Sequence, residues 1–421
     1  MAEKKNAKTK YVIIGNSTAA IGCVEGIRSV DKTGEIVLIS NEPHHTYGRP
    51  LISYYLLGAT DDERIKYRPD SFYKDNGVTA LLGKTVTNID AKEKKVTLDD
   101  GWVIEYDKLM NATGSSPFVP PAKGLDTVKK QFTFMTLDSA KALGKAVSKD
   151  TDVLIIGAGL IGLKCMEGIL DLAKSVTVVD LAPKILSSIL DDDGAALMQK
   201  YLENKGVKFI LGDCVDEYKG NTAVLKSGTQ LDFDVLVTAV GVRPNTSLIQ
   251  NAGGKVERGI IINDHMKTSL KDVYAAGDCT VSHDITTGTD RILALLPNAY
   301  LQGECAGKNM AGKKVKFEKA MPMNAIGFFG YHIVTAGAYD GDVRVAKEGA
   351  NYKKMFIKDG KLKGYILIGD VDKAGIYTSL IRNETPLDTI DFDMVYEHPT
   401  LMAFSAKDRK DKLATAPSAA K

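Results

Sequence analysis

The chain has 421 residues, 44% of them hydrophobic and 26% charged, and a formal net charge of +2. That length has room for about three domains of ordinary size, and the near-neutral balance argues against a nucleic-acid binder, which would carry a basic stripe. No window approaches the roughly 20 apolar residues of a membrane span, and the opening Met1-Ala-Glu-Lys-Lys5 lacks the apolar stretch of a secretion signal, so a cytoplasmic protein is expected.

Residues 1–10 read as a flexible polar tail whose lysines, Lys4, Lys5, Lys8 and Lys10, are solvated. An apolar strand then enters a turn, Tyr11-Val-Ile-Ile-Gly15-Asn-Ser17-Thr18-Ala19-Ala20. A helical stretch leads to a second short strand, Ile36–Ile39, to β excursions at Gly77–Gly83 and Val96–Leu98, and to the closing run Asp107-Lys-Leu-Met-Asn-Ala112-Thr113-Gly114-Ser-Ser-Pro117. The Pro-rich stretch Pro117–Pro121 marks a crossing.

The same plan restarts 142 residues after Gly15, with Val153-Leu-Ile-Ile-Gly157-Ala-Gly159-Leu160-Ile161-Gly162. It repeats a short strand at Val176–Val179, β excursions at Gly206–Gly212 and Ala223–Leu225, and a closing run Asp234-Val-Leu-Val-Thr-Ala-Val-Gly241-Val-Arg-Pro244. A period this long is a domain duplication, not a solenoid. Further on, Asp272-Val-Tyr-Ala-Ala-Gly277-Asp278-Cys279 is a short strand ending in Gly-Asp with no counterpart in the second copy. It is expected to join the first copy, so that 11–117 and 246–318 form one domain and 118–245 is inserted within it.

From about residue 319 the pattern becomes alternating strands, at His332–Thr335, Asn351–Ile357 and Leu362–Ile368, the last two joined by the turn Lys358-Asp-Gly-Lys361. An α+β cap over 319–405 follows, then a loose basic tail over 406–421. Phe328 and Phe329 read as cap core, and the pair His44 and His45 as solvent-exposed. The five cysteines, Cys23, Cys165, Cys214, Cys279 and Cys305, contain no Cys-x-x-Cys pair, which speaks against a sequence-local zinc or iron–sulfur site; packing is their expected role.

The two glycine turns carry the chemistry. A dinucleotide's pyrophosphate needs backbone N–H groups at a helix N-terminus and no side chain in its way. Gly157, Gly159 and Gly162 meet all three demands of the fingerprint, with Leu160 and Ile161 on the same turn. The first copy keeps Gly15, has Ser17 at the second position and Ala20 at the third; the Ser17 hydroxyl could itself donate to a phosphate. A carboxylate at the end of the second strand accepts the adenosine ribose hydroxyls. In the second copy this is Asp180, 23 residues after Gly157. It repels a 2′-phosphate and has no Arg beside it, so NAD(H) is expected over NADP(H). In the first copy the strand ends at Ser40 with Glu42 two residues on, and the acceptor is less defined.

The order of these motifs, with Ala112-Thr113-Gly114, Gly241-Val-Arg-Pro-Asn245 and Ala275-Ala-Gly277-Asp278, resembles the two-dinucleotide-domain flavoproteins of the pyridine nucleotide–disulfide oxidoreductase family along nearly the whole chain. The resemblance implies an α/β fold of two Rossmann-like domains in three layers plus the C-terminal cap. It places FAD on the first copy, where Gly15, Ser17, Thr18, Ala19, Ala20, Glu42, Ala112, Thr113, Gly114 and Gly277 would line it and Asp278 would hold its ribityl chain. It places NAD on the second, at Gly157–Gly162 and Asp180, with Gly241 at the closing turn. Within the family, Tyr47-Gly-Arg49-Pro50-Leu-Ile-Ser53 is similar to NADH:rubredoxin reductases and the flavin portion of NADH-dependent nitrite reductases, in which the Arg lies by the FAD. Met323–Gly330 and Gly369-Asp-Val-Asp372 resemble the flavin subunits of anaerobic iron–sulfur complexes such as phenylglyoxylate dehydrogenase and tungsten aldehyde oxidoreductase.

Two departures shape the expected function. Disulfide reductases and peroxidases of the family carry a redox Cys within the region of Tyr47 to Gly58, and this chain has none there, so a thiolate relay has no route. Many relatives have Glu two residues after the third Gly of the second turn; here it is Lys164, whose role is open, a snorkelling side chain being the plain alternative. The expected protein is an FAD-dependent NAD(H) oxidoreductase exchanging electrons with a rubredoxin- or ferredoxin-like iron–sulfur protein or subunit. The alternatives are a free-standing NADH oxidase using oxygen or a quinone, and a redox-sensing module. No catalytic acid or base, metal site, nucleic acid or membrane partner is expected.

Overall fold

The structure is a computed structural model that describes residues 7–407 and 409–410. It divides into two compact units, one running through residue 283 and resuming over 290–320, the other made of 284–289 and the chain from 321 on. The tails expected over 1–10 and 406–421 fall largely outside the described residues. Their inner ends do not: the first strand, β1, starts at Ala7, and the Arg409 N–H bonds back to the Ser405 carbonyl. Residues 7–10 were read as tail because Lys8, Thr9 and Lys10 are polar. They are ordered because Ala7, Lys8 and Thr9 register against Ile104, Glu105 and Tyr106, which supplies backbone partners that no side-chain pattern announces.

In chain order the first unit opens with β1 (Ala7–Ile14), α1 (Thr18–Val30) and β2 (Ile36–Ser40), then α2 (Ile52–Leu56), α3 (Phe72–Asp75) and β3 (Val78–Leu82), and a meander of β4 (Val86–Asp90), β5 (Lys95–Leu98) and β6 (Val103–Asn111). The sheet order is β3-β2-β1-β6-β5-β4, with β3, β2, β1 and β6 parallel. Apolar β1 residues alternate between two cores. Tyr11 and Ile13 pack with Val24 and Ile27 of α1, while Val12 and Ile14 pack with Val96, Leu98 and Leu109 on the meander side. That alternation is what buries a parallel sheet on both faces.

The linking strand β7 (Ser115–Pro117) leads to β8 (Gln131–Phe132) and α4 (Leu137–Ala146), whose Thr136 N-cap closes a capping box with Ser139. The second copy follows: β9 (Asp152–Ile156), α5 (Leu160–Ile169), β10 (Ser175–Asp180), α6 (Asp192–Glu203) and β11 (Lys208–Leu211), the meander β12 (Val215–Lys219), β13 (Thr222–Leu225) and β14 (Gln230–Asp232), and β15 (Val235–Thr238). Its parallel sheet runs β11-β10-β9-β15-β8, and the meander is a sheet of its own. Strand β16 (Val242–Pro244) pairs antiparallel with β7, so the two crossings between copies form one two-stranded link.

The chain then forms α7 (Ser247–Asn251), β17 (Ile260–Ile261), β18 (Val273–Ala275), β19 (Thr280–Asp284), β20 (Thr289–Arg291) and α8 (Leu296–Met310). Strand β18 lies parallel on β6, Val273 opposite Leu109. The second copy does have a counterpart, contrary to expectation: β8 lies on β15 in the same way, with Leu236 opposite Gln131. Two residues, Gln131 and Phe132, carry no periodicity to read, and they precede the copy they complete. Helix α8 packs on α1 through glycines. A Cβ on Gly22, Gly26, Gly303 or Gly307 would collide with the backbone of the facing helix.

The second unit is an antiparallel sheet in the order β21-β22-β25-β24-β23, from β21 (Met323–Phe328), β22 (Tyr331–Gly337), β23 (Asp342–Glu348), β24 (Asn351–Lys358) and β25 (Lys361–Ile368). Helices α9 (Ala374–Arg382) and α10 (Phe392–Glu397) cover one face, with Tyr365, Tyr377, Leu380 and Val395 in the core between them. Phe328 is fully buried.

Candidate dinucleotide sites

The strand ends of the first unit collect the residues singled out in the sequence. In the first sheet Ile14, Asn111 and Ala275 are neighbours in register on β1, β6 and β18, so the turns that follow, at Gly15, Ala112–Gly114 and Gly277–Asp278, leave one sheet edge together. In the second, Ile156 is flanked by Val179 of β10 and Thr238 of β15, which brings Gly157, Asp180 and Ala239 to a second edge. Both edges are the carboxyl ends of parallel strands, the place where open α/β sheets take ligands.

At the second edge Gly157 has φ +114, and a Cβ there would strike the Ala239 carbonyl; a Cβ on Gly162 would strike the Gly157 carbonyl. The protein itself requires these two glycines. Gly159 is different, because a Cβ there meets nothing within 4 Å. It is the N-cap of α5, has no side chain to cap the helix, and leaves the first N–H groups facing open space, the arrangement an anionic pyrophosphate needs. Asp180, the last residue of β10, accepts the Ala158 N–H at 2.6 Å and the Ala182 N–H at 2.7 Å. Its carboxylate is therefore fixed beside the turn. Leu160 and Ile161 are half-buried on the first turn of α5, and Gly241, at φ +136, has free space around it. The residues present fit NAD.

At the first edge Gly15 has φ +121, and a Cβ would strike the Ala112 carbonyl. Ser17 is the N-cap of α1 but makes no side-chain capping bond, so the helix N–H groups that a serine usually satisfies are left for a ligand. Thr18, Ala19 and Ala20 are buried in α1, and a Cβ on Gly277, at φ +83, would come within 3.3 Å of Ala19 Cβ. Asp278 accepts from the Ser115 hydroxyl at 3.3 Å; burial pushes its carboxyl above the usual range, with Arg49 pulling the other way. Thr113 Oγ1 accepts from the Asn111 amide and donates to the Asn245 carbonyl, and the Asn245 side chain donates back to the Thr113 carbonyl at 2.8 Å. The open helix end, the narrow Gly15 turn and a buried acid with a raised pKa fit a second dinucleotide with a polyhydroxyl chain, as FAD has.

Arg49 opens a short 3-10 turn with Pro50. It donates to the Met135 carbonyl at 2.8 Å and to Glu42 at 2.6 Å, and Glu42 also accepts the Tyr47 hydroxyl at 2.6 Å. Each Glu42 oxygen thus already holds one partner, and its first task is to fix Arg49. The segment is tied to α4 as well, because Tyr47 accepts the Leu137 N–H and His44 pairs with Asp138. Sequence reading missed Tyr47, Asn111, Ser115 and Asn245 as parts of this edge. Asn245 had a signal, since it follows the Gly-Val-Arg-Pro run; Tyr47 and Ser115 join the edge through partners 90 and 163 residues away, Leu137 and Asp278, and Asn111 sits in a strand with no motif of its own.

Four of the five cysteines are buried and Cys214 is half-buried. Burial pushes the Cys279 and Cys305 thiols up to about 11 and those of Cys23 and Cys165 higher still. Among the described residues no group of three or more His, Cys, Asp or Glu side chains could hold a metal ion, and no helix is long and apolar enough to cross a membrane.

Residues 9–303 match the family described as pyridine nucleotide-disulphide oxidoreductase, and 322–385 match the C-terminal domain of rubredoxin NAD+ reductase. The chain is 32% identical over 392 residues to the epsilon subunit of NADH-dependent phenylglyoxylate dehydrogenase from Aromatoleum evansii, covering 90% of this chain and 93% of the relative. It is 34% identical over 388 residues to the assimilatory nitrate reductase electron transfer subunit of Bacillus subtilis, covering 89% of this chain but only 49% of that protein, so it spans about half of this relative's length. Its fold is shared with a chain of the covalent putidaredoxin reductase–putidaredoxin complex, with a TM-score of 0.81 and 23% identity over 98% of this chain and 99% of the other.

Proposed function

The chain belongs to the pyridine nucleotide-disulphide oxidoreductase family, and on that premise we propose that this FAD-dependent NAD(H) oxidoreductase exchanges electrons with an iron–sulfur protein or the iron–sulfur subunit of a larger redox complex. The observation that carries the reading is the thiol-free segment Tyr47–Gly58, whose Tyr47 and Arg49 both donate to Glu42 and are tied to the Leu137 N–H and the Met135 carbonyl. With Cys23, Cys165, Cys279 and Cys305 buried and their thiols raised, and no thiol in that segment, electrons have no disulfide beside the flavin edge to go to. Relatives support the direction of that inference: one serves an NADH-dependent phenylglyoxylate dehydrogenase, another a nitrate reductase as its electron transfer subunit.

In this reading Gly157, Gly159, Gly162 and Asp180 hold NAD, within 118–245. Gly15, Ser17, Ala20, Arg49, Thr113, Gly114 and Asp278 hold FAD, within 11–117 and 246–318, and 319–405 is the interface domain. The flavin, when bound, supplies the conversion between the two-electron chemistry of NADH and the one-electron chemistry of a cluster. The chain's residues bind and orient. The α5 N-terminus takes the pyrophosphate, Asp180 the ribose, and Arg49 places fixed positive charge at the first edge; no side chain need move a proton for hydride transfer. The working compartment in this reading is the cytoplasm.

The test is anaerobic: NADH is mixed with the FAD-loaded protein and a rubredoxin, a ferredoxin or the iron–sulfur subunits that copurify with it from anaerobic lysate, and cluster bleaching is followed. Reduction of one of these faster than NADH consumption with oxygen or a quinone is expected. NADH oxidation in air that outpaces reduction of every cluster protein would overturn the proposal.

A further inference from the structure

Lys164 stands five residues beyond the Gly159 N-cap of α5, with its side chain turned inward and 13% exposed. Its ammonium pairs with Glu167, one turn on, whose side chain is 5% exposed. The same ammonium lies 4.3 Å from the centre of the Tyr54 ring. Tyr54 belongs to α2, which continues directly from the Arg49–Leu51 turn. A buried ion pair on the helix of the second glycine turn therefore grips an aromatic ring from the Arg49 segment. The seam is tight: a Cβ on Gly168 would come within 3.0 Å of the Ser53 carbonyl oxygen and 3.3 Å of Leu56 Cβ.

Packing alone does not call for this arrangement. Two charges are costly to desolvate, and apolar side chains of similar volume usually serve a buried contact as well or better. What the ammonium adds is direction. A cation over a ring face is attracted to the quadrupole and fixes the ring's tilt, while Glu167 keeps the cation from turning elsewhere. Lys164 is also the position at which the chain departs from relatives that carry Glu.

We propose that Lys164, anchored by Glu167 and acting through Tyr54, is a positioning residue for hydride exchange. It fixes the Arg49 segment against α5, so that a nicotinamide delivered from the α5 N-terminus meets the flavin in a reactive placement. The inference rests on the assignment of NAD to α5 and FAD to the first edge. Misplacement by about 1 Å in such a site costs on the order of 100-fold in rate, so the effect is one of rate and not of affinity.

Four variants test it: Lys164→Met with Glu167→Gln, which removes both charges together; Lys164→Arg; Tyr54→Leu, which leaves the ion pair in place; and the combination of the first and third. FAD content and NAD+ affinity are expected to stay within about threefold of the parent, while stopped-flow reduction of the flavin by NADH slows by about 10- to 100-fold in the charge-free pair and in Tyr54→Leu. The combination should be no slower than either, and Lys164→Arg should recover most of the rate. Independently of turnover, NAD+ should slow hydrogen exchange in residues 52–56 of the parent and fail to do so in the charge-free pair. A parental rate in that pair, multiplying losses in the combination, or equal loss of affinity and rate would overturn the proposal. Failure of the parent to bind FAD or NAD+ would instead strike the assignment of the sites.

Discussion

Gly157 and Gly159 are two residues apart and ask for glycine for different reasons. Gly157→Ala places a Cβ against the Ala239 carbonyl at a left-handed φ of +114, so it should destabilise the fold by about 1–3 kcal/mol and lower the melting temperature in calorimetry. Gly159→Ala meets open space; its melting temperature should hold, while NAD+ affinity in titration calorimetry falls at least about 10-fold, or about 1.4 kcal/mol. In the proposed reading Asp180 decides the cofactor. The parent should show a higher kcat/KM for NADH than for NADPH. Asp180→Ala should lower the NADH value by about 10–150-fold, the worth of a charged hydrogen bond, and leave the NADPH value little changed. The placement of all three at the second edge was legible in the sequence because each lies within one turn or at the end of the neighbouring strand. Glu42 was harder. Its engagement with Arg49 and Tyr47 depends on how residues 42–49 fold back, which no spacing encodes.

At the level of elements, the duplicated strand–turn–helix plan was visible because glycine turns and apolar strands are local signals. The joins between elements were not. Gly22, Gly26, Gly303 and Gly307, poor helix formers by propensity, let α1 and α8 touch backbone to backbone, a match between segments 277 residues apart as counted from Gly26 to Gly303. Gly303→Val should therefore cost at least about 1–3 kcal/mol by overpacking, seen as a lower denaturation midpoint with unchanged slope, whereas Gly375→Ala, exposed in α9 with nothing within 4 Å of its Cβ and no positive φ, should cost nothing. In the second unit the strands β22, β24 and β25 announced themselves by apolar alternation. Strand β23 did not, because nearly every one of its residues is exposed and its partner is fixed by the hairpin with β24.

Across the whole molecule, charge balance leaves no strong field, so pH enters through individual buried groups. Burial pushes the hydroxyls of Tyr11, Tyr106 and Tyr218 up to about 12, with the Asp31 carboxylate helping at Tyr11. An unfolded tyrosine ionises near its ordinary value of about 10. Between those values the folded chain keeps protons that the unfolded chain has lost, so stability present below pH 10 should decline as pH rises from about 10 to about 12. Melting temperatures across that range, with tyrosinate absorbance recorded at each step, check the window; ionisation of these tyrosines ahead of unfolding would contradict it.

The contact between α1 and α8 also carries a schedule. The second sheet is complete once Thr238 has been made, since all five of its strands lie between Gln131 and that residue. The first sheet begins earlier but waits for β18 and for α8, which ends at Met310. Domains fold as units during synthesis. On arrested nascent chains of increasing length, protection from protease should reach residues 118–245 before it reaches 11–117, so the domain begun first is the one finished last.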